Sequence, residues 1–345
     1  MEKFRISACF YPTTVLFIDD NRHFLNSLQL SLDESSIVPR LYSDPLTALQ
    51  FFEEDYQPSP FIERCLLHPE EEQMDHRIID IDINAIRKEI FNPLRFNEIS
   101  VIVIDYAMPG LNGLDLSLLI REKDPSIQIL MLTGEADYDM AITAFNEGSI
   151  DKFLRKDNTD FVLQLNAAIY ELQQRYFSEL SEIIINNLTM GKKHSISSWL
   201  ANPAFNSLFQ KIYRENHAVE YYLTDAYGSF LFLDFNGNPS WLAVKDEEGM
   251  KTAHEIASYS DSPFPKDMLD VMNSREKLLY VYEGGFCADP ELARKWLYPA
   301  NLIHGSAGAT FYYAYISNPR AYDFPGNNIV SYKTYLDQML LHDLT

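Results

Sequence analysis

The sequence predicts an α/β fold over its first half, a doubly wound parallel sheet with helices on both faces, followed by an α+β second half. Three observations predict it. Short apolar runs suited to buried strands alternate with segments of helical period. Those runs end on polar residues: Asp19 and Asp20, Asp105, Thr133, and Lys156. After Gly191 the alternation stops, and strands rich in aromatic and β-branched residues follow, joined at glycine turns.

The elements are justified in order. "TTVLFIDD" is a buried-strand run ending on Asp19 and Asp20. "NRHFLNSLQLSLDE" places apolar residues at 24, 25, 28, 30 and 32, a helical face, with Asn21 as N-cap. "IVPRLYS" is a weak strand. "DPLTALQFFEE" is a helix with Asp44 as N-cap and Pro45 at its first position. Residues 56–98 break the rhythm, with a "QPSP" turn, an acidic solvated stretch "HPEEEQMDH", an edge-strand pattern "RIIDIDIN" and a short helix "AIRKEIFNPL". The alternation resumes with a strand at 100–104, a helix at 113–123, a strand at 127–132, a helix at 136–147 and a strand at 151–155. A long helical pattern then runs from about Asp160 to Leu188.

Beyond it, "SISSWLANPAFNSLFQKIYREN" reads as a helix broken at Pro203, and "AVEYYLTDAYGSFLFLDFNGNPSWLAVKDEEG" as an antiparallel meander turning at Gly228 and Asn236-Gly237. "PKDMLDVMNSREK", "PELARKWL" and "YKTYLDQMLLHD" are helices, and "LLYVYEGG" and "GATFYYAYIS" are strands. The aromatic cluster Tyr221, Tyr222, Phe230, Phe232, Phe235 and Trp241 reads as core rather than a ligand cage.

The totals narrow the function classes. A length of 345 residues suggests two domains, and 46% apolar content is enough for packed cores. The net charge is −22; residues 1–160 carry 14 Lys and Arg against 29 Asp and Glu, and residues 161–345 carry 14 against 21. Neither half has the basic footprint of a nucleic-acid binder, so direct DNA binding is disfavoured. Cys9, Cys65 and Cys287 are far apart and form no disulfide framework. No secretory signal and no membrane-length apolar run is evident. A reduced, soluble, cytoplasmic protein without a membrane partner is expected.

In a doubly wound sheet, ligands sit outside the C-terminal ends of the strands. Asp19, Asp20 and Asp105 converging there would repel one another and need a cation, and an all-oxygen site suits Mg2+. Beside such a cation, Asp105 is a nucleophile that forms an acyl phosphate, with Lys156 to neutralise the phosphoryl charge and the Thr133 hydroxyl to read its oxygens. Taken singly, these residues have plain readings. Acids often cap helices, lysines sit at surfaces, and threonines occupy turns. All of them at matching strand ends, in order, argue for a site.

The strings "VLFIDD", "VIVIDYAMPGLNG", "ILMLTG" and "DKFLRK" resemble the receiver domain of two-component response regulators over roughly residues 13–160, less the insertion. The resemblance implies a flavodoxin-like (βα)5 fold with strand order 2-1-3-4-5. It implies Asp19 and Asp20 as the acidic metal pair, Asp105 as phosphoacceptor and metal ligand, and the backbone carbonyl of Ala107 as a further ligand to Mg2+. Thr133 becomes the switch hydroxyl, Phe153 the aromatic switch residue and Lys156 the lysine of the site. Met108-Pro109-Gly110 forms the loop after the acceptor, and Gly113 opens the next helix. A sensor histidine kinase or phosphotransfer protein is the implied partner.

Two departures stand out. Asp157 follows Lys156 where the family usually has proline. Asp20 and Asp105 lie 85 positions apart, about twice the family's usual separation, and residues near 56–98 account for the excess. That insert reads as a contact or covering element. Asp80 and Asp82 in it fit alternation along a solvated edge strand better than a second metal pair.

These readings give residues 1–160 as the receiver, 161–190 as an extended fifth helix or connector, and 191–345 as an α+β output domain of unknown type. In the family, the fourth helix, fifth strand and fifth helix form the readout surface. Here Val162, Leu165, Ile169, Leu172, Tyr176, Leu180 and Ile183 form nearly a heptad seam, either an ordinary amphipathic face or a dimer seam used on phosphorylation. Length and layout resemble the response regulators of the α-hydroxyketone (Lqs) quorum-sensing system, which implies control of virulence or growth-phase switching. Residues 191–345 show no helix-turn-helix, GGDEF-like, Walker, HD or HExxH string; "HGSAG" at 304–308 reads as a turn, and His217, His254 and His304 are scattered. A signalling output that dimerises or binds a partner is favoured over a receiver-gated enzyme acting on nucleotides.

Overall fold

The structure is a computed structural model that describes residues 5–57, 60–67, 80–134, 138–189, 200–259, 264–280, 290–304, 310–317 and 329–343. The stretch at 68–76, residues 191–199, Cys287 and positions 305–308 lie outside the described residues. The chain divides into two compact units. One comprises Phe10–Arg64 and Leu94–Glu182, and the other Met1–Cys9, Cys65–Pro93 and Ile183–Thr345. This division differs from linear boundaries at 160 and 190: the first residues and most of the insert group with the C-terminal unit.

The parallel-sheet unit holds five strands: β1 Thr13–Ile18, β2 Ile37–Tyr42, β3 Ile99–Asp105, β4 Gln128–Thr133 and β5 Lys152–Arg155. They pair in the order β2-β1-β3-β4-β5, all parallel, which is the predicted 2-1-3-4-5 arrangement. Its helices are α1 Arg22–Gln29, α2 Pro45–Gln50, α3 Gly113–Lys123, α4 Tyr138–Asn146 and α5 Phe161–Thr189, the last continuing beyond the unit.

Side chains alternate across the sheet because successive strand residues face opposite sides. Leu16, Ile18, Ile102, Ile104, Ile129 and Met131 pack with Ala48, Leu116, Ile120 and Ala144 of α2, α3 and α4. Val15, Phe17, Val101, Val103, Leu130 and Leu132 pack with Leu25, Leu28, Leu165, Ile169 and Leu172 of α1 and α5. Burial on both faces explains why these strands read as continuous apolar runs. Asn21 caps α1, accepting from the backbone N–H of His23 and Phe24, and Asp44 caps α2 ahead of Pro45. Leu30, counted in the apolar face of α1, instead follows its last turn and is 90% exposed.

The antiparallel-sheet unit is built on β6 Ala218–Leu223, β7 Phe230–Asp234, β8 Pro239–Asp246, β9 Asn301–His304 and β10 Thr310–Ile316. Strand Cys9–Phe10 adds an edge, and the order runs Cys9–Phe10, β6, β7, β8, β10, β9. The β7–β8 hairpin turns at Asn236-Gly237 as predicted, with Gly237 at φ +81° and its α-carbon facing Ser331 too closely for a Cβ. Tyr221, Tyr222, Phe230, Phe232 and Trp241 are core, with Phe209 of helix α6 (Pro203–Glu215) 5.0 Å from the rings of Tyr221, Phe230 and Phe232. Pro203 starts this helix rather than breaking it. Asn202 is the N-cap, and a proline at the first position gives up only an N–H that has no helical partner.

"PELARKWL" keeps one α turn, Pro290–Ala293, and then tightens to a 3-10 turn and the short strand Leu297–Pro299. In the insert, among the described residues, Asp80–Ile81 of "RIIDIDIN" form a two-residue ladder with Leu66–Leu67. Asp82 is a helix cap, accepting from the backbone N–H of Asn84 at the start of Ile83–Lys88. Ile86 and Ile90 of this segment are fully buried, and the carbonyl of Ile90 accepts from the N–H of Val330.

Candidate functional site

The C-terminal ends of β1, β3, β4 and β5 carry five predicted residues: Asp19 and Asp20, Asp105, Thr133 and Lys156. Lys156 follows β5, and its backbone N–H donates to the Thr133 carbonyl at 3.1 Å, which sets where its side chain starts. Its Nζ lies 2.6 Å from Asp19 Oδ2 and 2.8 Å from Asp105 Oδ1. Carboxylate oxygens of Asp19, Asp20 and Asp105 lie within 4.8 Å of one another. Asp19 and Asp105 are buried and Asp20 is exposed, so the cluster opens to solvent on one side. The N–H of Asn21 donates to Asp19 Oδ1 at 2.9 Å and fixes that carboxylate.

Burial pushes the Asp105 carboxyl above the ordinary carboxylate range; the hydrogen bond and charge of Lys156 pull it down, and the Asp19 and Asp20 charges push it up. Three clustered carboxylates facing one ammonium leave an excess of negative charge. All the donors are oxygens, the set that a hard divalent cation prefers.

Thr133 is fully buried at the end of β4, and its Oγ1 makes only a long 3.5 Å contact to the Leu154 carbonyl. Phe153 on β5 is half-buried against the sheet core, its ring centre 6.0 Å from that of Phe145 on α4. Ala107 lies in the exposed part of the loop after β3, and Met108 beside it is buried. Gly110 takes φ +82°, the left-handed turn that follows Pro109. Asp157 forms an ion pair with Arg155, and the peptide linking Lys156 to Asp157 is trans.

Two supports escaped sequence reasoning. The Phe24 ring lies 4.7 Å from Lys156 Nζ, so the ammonium rests on an aromatic face as well as between two acids. Gly113 packs so tightly on β3 that a Cβ there would sit 2.2 Å from the Asp105 carbonyl oxygen, while its N–H donates to the Tyr106 carbonyl. A glycine opening a helix just after the acid was visible in the sequence; its backbone contact was not. Among the described residues, Asp19, Asp20 and Asp105 form the one acid, histidine or cysteine grouping of metal-binding size, and His217, His254 and His304 are not part of it.

Comparison with known proteins identifies the family. Residues 68–166 match the response regulator receiver domain. The structure resembles that of the Legionella pneumophila response regulator LqsR with a TM-score of 0.74 and 31% identity, covering 98% of this chain and 97% of that one. Shorter similarities are found to the DNA-binding transcriptional regulator NtrC of Proteus hauseri, 27% identical over 77 residues, and to the regulatory protein LuxO of Vibrio cholerae, 26% identical over 84 residues. These cover 22% and 24% of this chain but only 16% and 18% of the relatives.

Proposed function

The chain belongs to the response regulator family, and from that premise we propose that Asp105 accepts a phosphoryl group and that this controls the antiparallel-sheet unit as an output. The observation that carries the reading is the cluster of three carboxylates at two strand ends with the Lys156 ammonium between Asp19 and Asp105. An Asp105 carboxylate oxygen forms a bond to phosphorus as the donor's bond to phosphorus breaks, and the donor's leaving group departs with that electron pair. The implied donor is a histidine kinase or phosphotransfer protein. Asp19, Asp20 and Asp105, with the Ala107 carbonyl, would hold Mg2+, which when bound offsets phosphoryl charge.

The residues of the chain do the rest. Lys156 exchanges a carboxylate partner for a phosphoryl oxygen. Thr133, weakly held by its long contact, turns its hydroxyl to the same group, and Phe153 moves into the space it leaves. The readout face is α4, β5 and α5. Met140, Ile142 and Phe145 of α4 are 49%, 37% and 46% exposed, an apolar surface suited to a phosphorylation-dependent homodimer. The full-length likeness to the Legionella regulator supports the same kind of output here, and with it a role in quorum sensing. The test is phosphoryl uptake from acetyl phosphate with Mg2+: the wild type is labelled and Asp105→Asn is not. Equal labelling of the two overturns the reading.

A further inference from the structure

Glu98 is a buried acid that the phosphoacceptor site leaves unused. It immediately precedes β3, so it and Asp105 stand at opposite ends of a seven-residue strand, about 23 Å apart at ordinary strand rise. Its carboxylate collects donors from three distant segments. Oε2 accepts from Tyr11 Oη at 2.7 Å and Arg64 Nη2 at 3.1 Å, while Oε1 accepts from Tyr176 Oη at 2.7 Å and the Phe61 N–H at 3.3 Å. The Phe177 ring packs edge-on against Tyr11 and Tyr176, at 4.7 and 5.4 Å, and screens the group from water. Burial pushes the carboxyl up, opposed by Arg64 and the two tyrosine hydroxyls.

The donors share a topological property. The chain passes between its two units at 9/10, 64/65, 93/94 and 182/183. Tyr11 follows the first passage, Arg64 is the last residue before the second, Glu98 follows the third, and Tyr176 lies on α5 shortly before the fourth. Every covalent route out of the parallel-sheet unit is therefore tied, inside that unit, to one carboxylate at the foot of the strand that bears Asp105.

We propose that Glu98 is a coupling residue that gathers the four chain passages and transmits the state of Asp105 along β3 to the output unit, a route distinct from the α4-β5-α5 face. The inference rests on the phosphoacceptor reading of Asp105. A displacement of β3 on phosphorylation moves Glu98, and its four hydrogen bonds oblige the passage segments to move with it. Glutamine cannot replace the acid, because whichever way its amide turns, the N–H2 faces either the Arg64 guanidinium or the Phe61 N–H, donors that cannot accept from it.

The full-length protein carries a built-in reporter. Trp199, Trp241 and Trp296 all lie within Ile183–Thr345, and the parallel-sheet unit contains none, so tryptophan emission reads the output unit. Phosphoryl uptake at Asp105 is followed by intact mass with acetyl phosphate, and the emission change is induced by beryllofluoride with Mg2+. The wild type is expected to show both. Glu98→Gln, and the milder Tyr11→Phe and Tyr176→Phe in case the first does not fold, retain uptake while the emission change falls about fivefold or more. A purely structural role would lower the melting temperature and leave the emission change intact. That result in a folded variant overturns the inference alone, as does uptake by the wild type with no emission change. Failure of the wild type to take up phosphate overturns the phosphoacceptor reading and the inference with it.

Discussion

At Asp105 the side chain and the backbone have different duties. The carboxylate meets Lys156, whereas the carbonyl meets the Cα of Gly113 where no Cβ fits. Gly113→Ala is accordingly expected to cost about 1–3 kcal/mol through overpacking and to slow uptake by displacing Asp105. Gly110→Ala meets no atom within 4 Å but keeps its left-handed φ, so it costs about 1–2 kcal/mol and leaves uptake near normal. Urea unfolding and labelling rates of the two variants check this pair. Glu98 has a signed pH dependence. Its folded pKa lies above the ordinary value of about 4.3, so between the two pKa values the native state holds more of the proton than the unfolded chain does. The stability gap between wild type and Glu98→Gln should narrow as pH rises from that value through the folded pKa, then level off; urea titrations across this range measure it. Asp19, Asp20, Asp105, Thr133 and Lys156 were legible because strand ends in an alternating pattern point to one sheet edge. Phe24 and Glu98 were not, since their importance depends on Lys156 and on Tyr11, Arg64 and Tyr176, which no local pattern links to them.

Among the elements, α5 shows why a period alone does not identify a partner. Its near-heptad seam fits either a dimer or the sheet. Leu165, Ile169, Leu172 and Tyr176 are buried, the first three in the core under the unit's own strands, while Val162 and Ile183 are 39% and 44% exposed. Apolar surface is open on α4 as well, at Met140, Ile142 and Phe145. Leu172→Ala should therefore cost about 2–5 kcal/mol as a core truncation. Ile142→Asp should leave stability within about 0.5 kcal/mol, as a surface change does, and abolish association after beryllofluoride treatment. Denaturant unfolding and light scattering separate the two effects; a phosphorylation-dependent dimer that survives Ile142→Asp would exclude the α4 face. The helix and strand types came through from the sequence wherever a cap or a buried run was present, as at Asn21, Asp44 and β3. In the insert the short helix came through, as Ile83–Lys88 running into the 3-10 turn Glu89–Phe91, whereas the burial of Ile86 and Ile90 did not, because their spacing is that of many surface helices.

At the scale of the whole molecule, the parallel-sheet unit is nested within the sequence of the other unit rather than preceding it. The antiparallel-sheet unit takes in the first residues and most of the insert, with Ile86 and Ile90 fully buried there. A fragment of residues 191–345 lacks both and is expected to lose cooperative thermal unfolding by circular dichroism, in contrast to the intact chain; a sharp transition in the fragment would show that the insert is dispensable. Linear sequence could not reveal this nesting, because the recognisable strings of residues 13–160 bracket the insert and invite its assignment to the receiver. The account as a whole depends on Asp105 being the acceptor. The most direct measurement is peptide mapping by mass spectrometry after acetyl phosphate and Mg2+, with borohydride reduction to trap the acyl phosphate. The modification is predicted at Asp105 in the wild type and nowhere in Asp105→Asn, whereas a label on another residue, or one that persists in Asp105→Asn, would contradict it.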